Sequence, residues 1–286
     1  MKHPYQIKPA CILSRLSTSG GSESYCAGFE LTEWRCNGLA DNLMEWITDY
    51  ALKSDELRES NHTNNYVRLK QAASRVYTTH KYSSRGEVGE IIAHAVCRTY
   101  FDTIPVAARV NYLSASNDPV KAFDLVHVRY RSDDKLELWL GEAKFFKSRN
   151  SAIKDAINSI KGHITAGFLR NEKLLLGPQV SNDIPRSGEI RSLLASETSL
   201  DELINNAVFP VLIAANSDST ASATGSCSAH TDGVTKEMAE LWDALHASGL
   251  TGKIKLKLIY VPLADKDKLN KAFDTRLKAL QILGGA

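Results

Sequence analysis

Two strand-like runs, AFDLVHVRY (122–130) and KLELWLGEAKFF (135–146), are separated only by RSDD. A polar connection this short joins consecutive strands as an antiparallel hairpin. Side chains alternate between faces with a period of two, so the hairpin can be sorted by parity. Even positions carry Val126, Val128, Leu136, Leu138 and Leu140 near the turn. Further from the turn the same parity carries Asp124, Glu142 and Lys144. Residues directly opposite point the same way, so these three charges share the apolar face. A three-residue loop sets Asp124 against Glu142, and a five-residue loop sets it against Lys144. A four-residue loop would mismatch the faces unless a bulge corrected it. The spacing therefore predicts an odd loop and a cluster of two carboxylates and one ammonium at the rim of an apolar layer.

Burying charge is costly unless it is paired, metal-bound or used in chemistry. Two neighbouring carboxylates repel unless a cation lies between them. Mg²⁺ suits such a site, because it takes one or two carboxylates and completes its shell with water and substrate phosphate. A metal so held polarises a phosphoryl oxygen and lowers the pKa of bound water. The adjacent lysine can orient that water or neutralise charge in the transition state. Phosphodiester hydrolysis is the reaction these parts suit. The competing reading is a surface ion pair, since an acid, a spacer and a lysine recur often. Asp133, Asp134 and Lys135 form such a group in the turn itself. The apolar strand around Glu142 and the matching position of Asp124 favour the site.

The flanking segments give the fold class. RGEVGEIIAHAVCRTYF (85–101) places Val88, Ile91, Ile92, Ala95 and Val96 on one helical stripe. A long amphipathic stretch at 151–169 has Ile153, Ile157, Ile160 and Ile164 on one side. Residues 171–206 read as irregular with short helices. AVFPVLIAANS (207–217) and KIKLKLIYVPL (253–263) read as buried strands, with helices expected around 234–248 and 267–282. The small polar run 218–233 reads as a flexible loop, 17–25 reads as a turn or loop, and 42–54 has helical spacing. Strands separated by helices imply crossovers, hence an α/β protein with a mixed β-sheet flanked by helices. Residues 1–84 form a mixed α+β N-terminal extension and 85–286 the core.

With 286 residues, 43% hydrophobic and 24% charged, the chain can build an ordinary globular core. A net charge of +2 does not mark a nucleic-acid binder, so local clusters must carry that reading. Residues 61–85 hold Arg68, Lys70, Arg75, Lys81 and Arg85 without an acid, with Tyr66, Tyr77 and Tyr82 among them. They read either as a solvated helix face or as a phosphate-contacting surface with rings for stacking. Lys147, Ser148 and Arg149 follow the charged strand and are placed to contact phosphates. Lys154 and Lys161 fall opposite the isoleucine stripe, on a solvated face. Five scattered cysteines without a C-x-x-C pair suit a reducing cytoplasm. No apolar run is long enough for a membrane span, and the start lacks a signal sequence. No G-x-x-x-x-G-K-[ST] loop is present, so ATPase chemistry would come from a partner. His94 and His163 show no metal-ligand spacing and read as structural histidines.

Asp124, the short hairpin and Glu142-Ala143-Lys144, preceded by a Glu-bearing helix and followed by a basic one, resemble the PD-(D/E)xK nuclease superfamily. Phe123 stands where the nominal motif has proline. RGEVGE upstream together with GEAKFF resembles, more narrowly, the HamA nuclease subunits of bacterial Hachiman antiphage systems, over roughly residues 85–285. The resemblance implies a restriction-endonuclease-like core and a Mg²⁺-dependent (or Mn²⁺-dependent) DNase acting with a helicase partner. It implies that Asp124 and Glu142 ligate the metal, that Lys144 assists the attacking water, and that the first core helix adds a glutamate. Glu90 matches the pattern of related nucleases, whereas Glu87 flanks the apolar stripe; either could instead complement the helix dipole. Arg85 joins Lys147, Ser148 and Arg149 as a candidate DNA contact. The alternatives are a catalytically silent nuclease-fold module that binds nucleic acid or scaffolds a partner, and a stand-alone restriction or junction-resolving enzyme. No small-molecule cofactor is expected.

Overall fold

The computed structural model describes residues 4–76, 86–106 and 123–282. Along the chain, β1 (Ser14–Ser19) and β2 (Ser22–Cys26) are followed by a small two-stranded pair, β3 (Phe29–Glu30) and β4 (Glu33–Trp34). Helices α1 (Cys36–Ala51), α2 (Ser54–Arg58), α3 (Asn65–Val76) and α4 (Glu87–Tyr100) come next. The hairpin region holds β5 (Ile104–Pro105), β6 (Leu125–Tyr130) and β7 (Leu136–Phe146). Then come α5 (Arg149–His163), α6 (Ala166–Leu176), α7 (Ser187–Leu194), α8 (Leu200–Asn205) and β8 (Ala207–Asn216). The chain ends with α9 (Asp218–Ala221), α10 (Ser228–Ala247), β9 (Lys255–Leu263) and α11 (Lys266–Ile282).

Seven strands form one sheet in the order β1-β2-β9-β8-β7-β6-β5. Its middle, β7-β8-β9 and on to β2, is parallel, and both ends are antiparallel. This is the mixed, helix-flanked sheet that the segment pattern implies, consistent with a restriction-endonuclease-like fold. The parity of the hairpin divides two cores. Val126, Val128, Leu138 and Leu140 pack with Ile153 and Ile160 of α5 and with Met238 and Leu241 of α10. Leu125, Trp139, Ala143 and Phe145 face the other side, with Trp46 of α1, Ile91 and Val96 of α4, and Phe273 of α11.

The N-terminal extension continues the core's own sheet and layers. β2 pairs in parallel with β9, and α1 packs against α3, α4 and α11. Because α1 covers α4, residues 88–98 are buried all around the helix. A buried polar chain ties these layers together. Thr103 Oγ1 lies 2.7 Å from His127 Nδ1, His127 Nε2 lies 3.1 Å from His94 Nδ1, and His94 Nε2 lies 2.6 Å from Asp49 Oδ1. Every atom is satisfied if each group donates towards Asp49, which Arg98 Nε also reaches at 3.0 Å. Burial depresses both histidine pKa values, which keeps the rings neutral donors. His94 thus has the structural role expected of it.

Four local expectations change. The run 17–25 is most of a β-hairpin turning at Gly20, whose φ of 57° suits a residue without Cβ. The stretch 151–169 is broken after His163, and Thr165 begins a separate helix. The run 218–233 is largely helical, because Ser217 caps α9 by accepting a hydrogen bond from the Thr220 N–H at 3.0 Å. The arginines of α3 meet acids rather than open solvent. Arg75 bridges Glu56 at 2.6 Å through both terminal nitrogens, and Arg68 reaches Glu59 at 2.7 Å. Tyr77, Lys81, Tyr82 and Arg85 lie outside the described residues.

Gly89 lets α4 approach the charged strand: a Cβ there would meet Phe145 Cβ at 3.0 Å and its backbone N at 3.5 Å. Gly162 of α5 has open space instead. Gly89→Val should therefore destabilise the protein by about 1–3 kcal/mol through overpacking. Gly162→Ala should stabilise it by roughly 0.5–1 kcal/mol through helix propensity. Chemical denaturation of both variants checks the contrast.

Candidate active site

The site begins at the turn. The Arg131 N–H donates to the Lys135 carbonyl at 2.9 Å, and Asp134 takes a left-handed φ of 62°. This closes a three-residue loop, 132–134, of the odd length that the face argument requires. Leu125 pairs with Gly141, so the register continues to Asp124 opposite Glu142. Two backbone contacts hold Asp124 there. Its N–H donates to the Gly141 carbonyl at 2.9 Å, and its Oδ2 accepts the Ala143 N–H at 2.9 Å. Phe123, in the nominal proline position, is buried with its ring edge-on to His163 and Phe168.

Glu142 is only 6% exposed, and Lys144 Nζ lies 2.8 Å from its Oε1. Glu142 Oε2 is also buried and receives no hydrogen bond among the described residues. Burial, and then the charge of Asp124, raise the Glu142 pKa to about 7 against the pull of Lys144. Burial opposes the Lys144 charge, yet Glu142 and Asp155 hold its pKa above that of an ordinary lysine.

Helix α5 lies over this face and supplies residues that the sequence reading did not assign to the site. Asp155 Oδ2 is 2.5 Å from Lys144 Nζ, and Ser159 Oγ accepts from the same ammonium at 3.1 Å. His163 Nδ1 is 3.3 Å from Glu142 Oε2, with its ring stacked on Phe168 at 4.3 Å. Asp155, Ser159 and His163 recur every four residues, one polar stripe along the helix. That spacing was visible in the sequence, beside the isoleucine stripe that drew attention. The break after α5 leaves the His163 ring beside Glu142, a neighbour that its lack of metal-ligand spacing did not suggest.

Glu87 and Glu90 occupy the first turn of α4, where Gly89 sits against Lys144 and Phe145. Glu90 is buried and accepts a hydrogen bond from the Tyr50 hydroxyl at 2.5 Å. It does not face solvent opposite the apolar stripe, because α1 covers that side. Among the described residues, no three or more His, Cys, Asp or Glu side chains form a group able to hold a metal ion. Neither helix glutamate is thus gathered with Asp124 and Glu142 into a larger ligand set. Lys147 is an exposed partner of Asp267 at 2.5 Å. Ser148 caps α5, accepting the Ser151 N–H at 3.3 Å. Arg149 is mostly buried and paired with Glu237 at 2.9 Å, which anchors α5 to α10. Of this trio, the Lys147 surface pair is the one most easily exchanged for a phosphate. Lys154 and Lys161 are exposed, as expected.

The donor set suits a hard divalent cation. Asp124 lies opposite Glu142, whose Oε1 is 2.8 Å from Lys144 Nζ and whose Oε2 is buried without a hydrogen bond among the described residues. Two carboxylates with water filling the remaining positions match the way Mg²⁺ is bound. No helix among the described residues is long and apolar enough to cross a membrane.

The pH dependence has a definite sign. A carboxyl whose folded pKa is raised contributes stability below its unfolded value and loses it as pH rises through the folded one. The Glu142 contribution is therefore present in acid and lost between the ordinary carboxylate range and about 7. Without divalent cations, Glu142→Gln should melt higher than wild type at pH 8, and the gap should close towards pH 4. Thermal melts across that range check it. The model of the family described as HamA matches residues 8–277 of this chain. No curated protein matches it.

Proposed function

The chain belongs to the HamA family, and from that premise we propose that it is a Mg²⁺-dependent deoxyribonuclease of a bacterial antiphage system, acting in the cytoplasm with a helicase partner. The observation that carries the chemistry is the buried Glu142 beside Asp124, with Lys144 at 2.8 Å, on a strand at the middle of the mixed sheet. Asp124 and Glu142 would hold the metal. When bound, it supplies an activated water and a Lewis acid for the phosphoryl oxygen.

The protein's own residues do the remainder. The backbone bonds of Asp124 and the β8 ladder alongside Glu142–Phe146 fix both carboxylates before substrate arrives. Such preorganisation lets a charged group act without rearranging during the reaction. Lys144, beside the metal-facing carboxylate, holds a proton donor where negative charge develops on the phosphorane-like transition state. Glu90, fixed by Tyr50 at the start of α4, stands in the helix turn packed on Lys144 and supports the strand from behind. Lys147 exchanges Asp267 for a DNA phosphate beside the scissile one. The helicase supplies the ATP-driven strand separation for which this sequence has no phosphate-binding loop.

The protein, alone and with its helicase partner, should degrade DNA with Mg²⁺ or Mn²⁺ and stop when EDTA is added. Glu142→Ala with Lys144→Ala should abolish cleavage while retaining a cooperative melt. Cleavage that survives in the folded double variant would refute the assignment. A wild-type protein that binds DNA but neither cleaves it nor binds Mg²⁺ through Glu142 would establish the silent binding module instead.

A further inference from the structure

The ammonium of Lys144 has three N–H donors and meets three acceptors: Glu142 Oε1 at 2.8 Å, Asp155 Oδ2 at 2.5 Å and Ser159 Oγ at 3.1 Å. Only the first belongs to the motif strand. The other two come from α5, one turn apart, and the Ser148 cap and the Arg149–Glu237 pair fix that helix at its start. The Asp155 side chain is half exposed, yet its carboxylate is turned onto a lysine whose side chain is only 13% exposed. An acid with no need to be ordered is thus ordered by Lys144. A lysine stem has four rotatable bonds, and without a second anchor its head would sample several positions.

On the nuclease reading above, we infer that Asp155 is a positioning residue for Lys144, with Ser159 marking the position that substrate takes. The two carboxylates clamp the ammonium from the strand side and the helix side. The two carboxylates bring a full opposite charge to the ammonium and the hydroxyl only a dipole, so the serine hydroxyl is the acceptor that yields. The released N–H then points to the attacking water or a phosphoryl oxygen, while Glu142 and Asp155 keep the head in place. Asp155 works through Lys144 and touches neither metal nor DNA.

Two readouts on the full chain test this. The first needs no catalysis: acylation of Lys144 by a small amine-reactive ester at fixed pH, followed by peptide mass spectrometry. Asp155→Asn should speed labelling several-fold, Ser159→Ala less, and Lys154 should label equally in all forms. An unchanged Lys144 rate in Asp155→Asn overturns the proposal. The second is cleavage: Asp155→Asn should lower kcat by about 10- to 100-fold, the usual range for residues that orient a reacting group, with KM for DNA unchanged. Asp155→Glu should restore part of the rate, and Asp155→Asn should add nothing to Lys144→Ala. Additive losses in the double variant would show that Asp155 acts through the fold, and overturn the proposal. If wild type cleaves no DNA with metal and helicase, the nuclease reading fails while labelling still decides whether Asp155 holds Lys144.

Discussion

The site depends on the register of one hairpin. Because side chains alternate with a period of two, slipping β6 against β7 by one residue would carry Asp124 to the opposite face from Glu142. The three-residue turn at 132–134, with Asp134 in the left-handed region, prevents that slip at one end. The Asp124 carboxylate on the Ala143 N–H fixes it at the other. Between them the Val and Leu face is locked into the core beneath α5 and α10. The same alternation that buries the hairpin therefore delivers its charges to one rim.

Around this hairpin the molecule is built in layers that hold a charged group cheaply only at their edge. Lys144 and Glu142 lie where β7 leaves the apolar layer, and α5 completes their surroundings with a polar stripe rather than an apolar one. On the other face α4 can approach the same strand because Gly89 presents no side chain. The N-terminal extension closes that face. Its helix α1 covers α4 and supplies both the Tyr50 hydroxyl that holds Glu90 and the Asp49 that ends the buried histidine chain. The extension is thus structurally part of the layer that carries the candidate site.

Much of this was legible in order along the chain. Parity sorting identified the face, the odd loop and the triad of Asp124, Glu142 and Lys144, because each rests on local geometry within about twenty residues. The element order gave the mixed sheet for the same reason. Misreadings fell where composition misled. By composition the serine-rich run 17–25 suits a turn or loop and 218–233 a flexible loop, whereas sheet pairing and a serine cap order most of both. Arg68 and Arg75 suit a solvated face or a phosphate surface within 61–85 alone, because their partners lie earlier, Glu56 in α2 and Glu59 at its C-cap.

By itself the sequence determined which side chains share a face, since strand and helix periods are properties of the backbone. It carried the polar stripe of Asp155, Ser159 and His163 as well, but not what that stripe would meet. Only the tertiary structure decided that α5 folds back over β7, so that these three residues surround Lys144 and Glu142. Only it decided, too, that Arg149 is spent on Glu237 and Ser148 on a helix cap. Periodicity fixes directions within an element. Contacts between elements follow from how apolar faces stack, and that is settled by the whole core at once.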